Sequence, residues 1–73
     1  MNISADRPRT TAQAAAWAMA CIDENVVTGD TRGEKIQGLL AAYKDHFYPL
    51  TRADIYRLMP VVLMVAQEFL AYV

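Results

Sequence analysis

The chain has one cysteine and one histidine among its 73 residues. With Cys21 alone no internal disulfide can form, and with His46 alone there is no Cys/His cluster to hold zinc, so no metal site and no cofactor is expected. Charge of one sign is also scarce: seven basic residues face eight acidic ones, the net charge is −1, and no block of like charge occurs. That balance provides neither a phosphate-backbone footprint nor the polybasic patch of a protein drawn to anionic membranes. The three glycines, Gly29, Gly33 and Gly38, lack the Gly-Lys-Ser/Thr ending of a phosphate-cradling loop, and no strand-like alternation precedes them. The opening MNISADRPRTT has no apolar stretch after its basic residues, as a secretory signal would. With a lone cysteine, the cytoplasm is the expected location.

A long hydrophobic run is missing as well. The most apolar stretch is RLMPVVLMVAQEFLAYV, residues 57–73. A membrane-spanning helix needs about 20 mostly apolar residues, and Gln67 and Glu68 interrupt this stretch well short of that. An interfacial helix would need Lys or Arg along its polar face, and only Arg57 is there. No membrane association is expected.

What the chain does have is apolar surface: 55% of its residues are hydrophobic. A domain of this size is near the lower limit at which one core holds a fold without staples, so self-association is the expected source of further stability.

Residues 1–9 are polar, contain Pro8 and lack periodicity, which reads as a flexible arm. Residues 10–73 read as one helical domain with three capped segments. Thr10 and Gln13 have the spacing of a capping box and open a first helix, expected to end near Val27, before the turn Thr28-Gly29-Asp30. At 100° per residue Ala15, Met19, Ile22 and Val26 share its core face, while Ala14, Trp17 and Cys21 form a second apolar sector roughly opposite. Thr31 and Glu34 repeat the capping signal, with Asp30 an alternative cap, and Ile36, Leu39, Leu40, Tyr43 and Phe47 make the cleanest amphipathic stripe in the chain. Pro49 stops that helix.

Thr51 caps a third segment, with Asp54 in its first turn. Its core stripe is Ile55, Leu58, Val62, Val65, Phe69 and Val73. A weaker stripe, Tyr56, Leu63 and Leu70, runs along its side. Pro60 removes a backbone donor in mid-segment and crowds the carbonyl of Tyr56, so the helix is expected to be kinked, or else split, there. The expected architecture is all-α, a small three-helix bundle that homodimerisation can complete.

The inventory argues against an enzyme. Ser4 lies in the arm, Cys21 in an alanine-rich helix where a thiol is normally buried and inert, and His46 in the last turn of a helix, where a cation complements the dipole. Asp23 and Glu24 are adjacent and project about 100° apart, which does not make a shared acid/base site. Two apolar stripes on the first and third helices exceed what three helices bury, and the surplus points to a protein partner or a second copy of the chain. Trp17, Tyr56, Leu63, Met64 and Leu70 are the expected interface residues. Such a module suits a regulator, adaptor or inhibitor of a larger protein, as phage and mobile-element accessory proteins often are. The alternative is a helix-turn-helix-like DNA-binding regulator with Arg52, Tyr56 and Arg57 at the groove and Arg7 and Arg9 as an arm. Against it stand the net negative charge, Asp54 on the same turn as Arg52, and a joining turn, Tyr48-Pro49-Leu50, that lacks glycine.

Overall fold

Three helical segments pack together in a computed structural model that describes residues 7–24, 27 and 29–70. They are α1 (Thr11–Asp23), α2 (Arg32–His46) and a third segment in which a π-helical turn, Asp54–Leu58, runs directly into α3 (Met59–Phe69). No strand occurs among the described residues. The radius of gyration, 11.1 Å, is that of a tightly folded chain of this length.

Each start is chemically explicit. The Thr10 hydroxyl accepts the Gln13 N–H at 3.1 Å, and the Gln13 side-chain oxygen Oε1 accepts the N–H groups of Thr10 and Arg9, so the expected capping box is complete. At α2 the Thr31 hydroxyl accepts the Glu34 N–H, while the Glu34 carboxylate reaches one residue further back, to the N–H of Asp30. Asp30 thus donates to the Glu34 side chain, and Thr31 is the cap. Gly29 precedes it at φ +115°, where a β-carbon would be 2.7 Å from Glu34 Cβ, so backbone conformation and space both demand glycine at this turn.

The first helix ends at Asp23, earlier than expected. The sequence beyond it, Asn25-Val26-Val27-Thr28, consists entirely of residues with low helix propensity. Val27 lies outside the helix, and the expectations for Val26, Thr28 and Val73 fall outside the described residues, as does Ser4.

The core face of α1 is the opposite of the one expected. Ala14, Trp17, Ala18 and Cys21 are buried, whereas Met19 is exposed and Ala15 and Ile22 are only half-buried. Two alanines one turn apart let the third segment come close, and Trp17 is the largest apolar group α1 can bury. It meets Tyr43 edge-on at 5.4 Å and Phe47 at 5.5 Å, and Tyr43 and Phe47 lie 4.9 Å apart. Leu39, Leu58, Val62, Val65, Ala66 and Leu70 close the core around this aromatic cluster.

The third segment departs most from a regular helix. The chain stays right-handed helical through Leu58 and Met59, and the Met59 N–H bonds to the Asp54 carbonyl, five residues back. Pro60 has no N–H, and the helix accommodates it with this widened turn immediately upstream instead of an interruption. A π turn acts as a one-residue insertion, so residues ahead of it take the place of their neighbours. Asp54 moves to the inner face where a regular helix would put Ile55. Asp54 is 1% exposed and Ile55 is 49% exposed, which corrects Ile55 as a core residue. At the other end Leu70 is buried and Phe69 is 46% exposed, so Leu70 and not Phe69 closes the core.

Two long-range contacts set the directions of the helices. The Arg32 guanidinium, at the start of α2, donates to the carbonyl of Gln67 near the end of α3 at 3.1 Å. A short turn joins the other ends of these helices, so α2 and the third segment run antiparallel. Arg7, just ahead of α1, reaches the turn between them. The first and third segments therefore begin at the same end of the molecule. The Tyr48–Pro49 peptide bond in that turn is cis.

Candidate interaction surface

Two features of the third segment stand out, one buried and one exposed. The buried feature is the Asp54 carboxylate. Its Oδ1 accepts the Tyr43 hydroxyl at 2.8 Å, and its Oδ2 accepts the Thr51 N–H at 2.8 Å, the Thr51 hydroxyl at 3.0 Å and Arg7 Nη1 at 2.5 Å. The Thr51 hydroxyl in turn accepts the Asp54 N–H at 3.2 Å, a reciprocal cap that starts the helix. Arg7 Nη2 donates to the carbonyls of Phe47 at 2.5 Å and Pro49 at 2.9 Å. One guanidinium thus fastens the segment before α1 to the end of α2, the following turn and the start of the third segment.

Burial pushes the Asp54 carboxyl up, but the Thr51 N–H, the hydroxyls of Tyr43 and Thr51 and the nearby Arg7 charge outweigh it and hold the group below the usual carboxylate range. Burial, and then the hydrogen bond to Asp54, raises the Tyr43 phenol, which stays protonated as a donor. The cluster is a satisfied structural hub in which four donors converge on one carboxylate. It leaves no free acid or base for chemistry.

Burial pushes the Cys21 thiol up to about 11, away from the thiolate a nucleophile requires. His46 lies exposed in the last turn of α2, edge-on to Phe47 at 4.9 Å. Among the described residues no three His, Cys, Asp or Glu side chains group as metal ligands. No helix among them is long and apolar enough to cross a membrane.

The exposed feature is the outer side of the third segment. Tyr56, Pro60 and Met64, spaced by four residues, all face solvent, with Tyr56 75% and Met64 60% exposed. Leu63 is half-buried beside them. Tyr56, Leu63 and Met64, three of the five residues expected at an interface, therefore lie on this surface or at its edge. The other two do not: Trp17 and Leu70 are core residues with almost no surface to offer. Trp17 gives the aromatic cluster its third ring, and the register of α3 turns Leu70 inward.

Arg52, Tyr56 and Arg57, the alternative DNA-contact residues, are all exposed. Arg7 is committed to Asp54 and two carbonyls, so it does not belong to a minor-groove arm. Asp54 is internal and paired, so it is not the surface acid the sequence implied. The start of α2 reaches the end of the third segment through Arg32 and Gln67.

Comparison with protein-family models, with curated proteins and with solved structures finds no match for this chain.

Proposed function

We propose that this protein is a small non-enzymatic interaction module that docks another protein surface, or a copy of itself, against the outer side of its third helical segment. The observation that carries this reading is the exposure of Tyr56 and Met64, with Pro60 between them, along one side of the third segment. Aromatic and Met side chains are the residues that interface cores favour, and a tyrosine anchors with little loss of conformational entropy. The surface is presented on a rigid element, because the inner side of the same segment is pinned by Asp54. Binding by such a module regulates, bridges or occludes a larger protein without any chemistry of its own.

The test is comparative capture from cells that carry the protein, using the intact chain and a Tyr56→Glu/Met64→Glu variant as baits. The intact chain is expected to retain a specific protein, the chain itself included, that the variant loses while keeping its helical circular dichroism. Equal retention by both baits retires the reading.

A further inference from the structure

The outer side of the third segment is built to match itself. Arg57, Val61, Met64 and Glu68 follow one another at steps of four, three and four residues, the spacing of a seam along one side of a helix. At 100° per residue Val61, Met64 and Glu68 fall within about 60° of one another, and Arg57 precedes them at the end of the π turn. Arg57, Met64 and Glu68 are exposed and Val61 is half-buried. The seam has a positive end, an apolar middle and a negative end. Neither Arg57 nor Glu68 has an ion-pair partner among the described residues.

We infer that the partner of this surface is a second copy of the chain, its third segment laid antiparallel on the first about a twofold axis passing between Val62 and Leu63. This rests on the interaction reading above and gives it an occupant. A twofold at that point places Arg57 opposite the partner's Glu68 and, with the same register, Val61 opposite the partner's Met64. Isologous contact requires this reciprocity, in which each pair occurs twice. The coincidence of the charge pair and the apolar pair on one axis selects this occupant. In a parallel pairing Arg57 would face Arg57 and Glu68 would face Glu68, and like charges in register disfavour it. Tyr56 and Pro60 flank the seam on one side and widen the contact. A single helix pair is small for a protein interface, so the dimer is held in the micromolar range and not permanently.

Sedimentation equilibrium of the full chain over a wide concentration range tests this, together with Arg57→Glu, Glu68→Arg, the double reversal Arg57→Glu/Glu68→Arg, and Met64→Glu. The intact chain is expected to dimerise. Each single reversal should weaken the dimer by about tenfold or more, since it creates two like-charge contacts. The double reversal should return to within about threefold of the intact chain, because it restores both pairs. A monomer at every concentration overturns the inference but not the interaction reading, which the capture experiment decides separately. Dimerisation lost with Met64→Glu, together with single reversals that the double reversal does not rescue, overturns the antiparallel register and keeps the surface. Dimerisation indifferent to Met64→Glu overturns both. Cross-linking provides a second measurement that does not depend on the charge variants folding. When a Val61→Cys copy is mixed with a Met64→Cys copy, the mixed disulfide should form in preference to either like pair, and a preference for like pairs refutes the register.

Discussion

The two sides of the third helical segment invert the usual arrangement of polar and apolar groups. Inside, at Asp54, is a charged carboxylate 1% exposed; outside, two residues later, is a tyrosine 75% exposed. The inner group is tolerated because four donors meet it, and an unmet charge there would cost several kcal/mol. The outer groups have no counterpart within the described residues. A polar group inside with all its partners reports on the fold. An apolar group outside with none reports on what the molecule meets.

The largest expected effect breaks the inner side. Asp54→Ala leaves the Tyr43 hydroxyl, the Thr51 N–H and hydroxyl and Arg7 Nη1 without their acceptor, and should cost about 3–5 kcal/mol. That is comparable to the whole stability of a small domain, so urea denaturation at neutral pH should show a largely unfolded protein. Ile55→Ser, one residue away on the half-exposed side of the π turn, should cost less than about 1 kcal/mol. If the two costs were similar, the π-turn register would be wrong. Arg7→Ala should fall between them at about 1–2 kcal/mol, because its side chain is one-third exposed and water screens part of the pair.

Acid titrates the same side. The folded Asp54 carboxyl is held below its ordinary value of 3.8, so the unfolded chain takes up the proton more readily than the folded one. The stability Asp54 contributes is therefore complete above that ordinary value and is lost as pH falls through the lower folded value. The urea midpoint should hold from pH 7 to about pH 5 and decline steeply below about pH 4. An Asp54→Asn chain that still folds should lose most of that decline. An equal decline in both would assign acid sensitivity to other carboxylates.

The inner side was only partly legible in the sequence, and the reason is distance along the chain. Local signals read correctly: Thr10 and Gln13 cap α1, Thr31 opens α2, and Leu39, Tyr43 and Phe47 lie on the buried side of α2. Thr51 caps the third segment as expected, but Asp54, expected only as a first-turn acid, also caps back to the Thr51 N–H. Nothing local joined Asp54 to Arg7, 47 residues away, or to Tyr43 on another helix. The π turn was hidden for a different reason. Pro60 signals a disturbance, but periodicity assumes a constant turn, and one inserted residue exchanges Asp54 for Ile55. On α1 two apolar sectors competed, and the pattern alone could not say that two alanines beside a tryptophan pack better than Met19 and Ile22.

Trp17 sharpens the comparison at smaller energy. It is buried in the aromatic cluster, yet its Nε1–H has no hydrogen-bond partner among the described residues. Trp17→Phe gives up some buried area but also removes a donor whose desolvation costs about 1–3 kcal/mol. The two effects should nearly cancel and leave stability within about 1 kcal/mol of the intact chain. A loss of several kcal/mol would mean that the indole N–H has a partner in solution, such as an ordered water.

The smallest expected change in stability is on the outer side. Met64→Glu should leave the denaturation midpoint of the dilute monomer within about 0.5 kcal/mol of the intact chain, because the side chain is 60% exposed and closes no part of the core. At high concentration the two proteins should diverge, since only the intact chain gains stability from association by mass action. A midpoint that rises with concentration for the intact chain and stays flat for Met64→Glu would show that the exposed methionine matters to assembly and not to folding. If Met64→Glu instead destabilised the dilute monomer, Met64 would belong to the core, and the division between a satisfied inner side and an unsatisfied outer one would collapse.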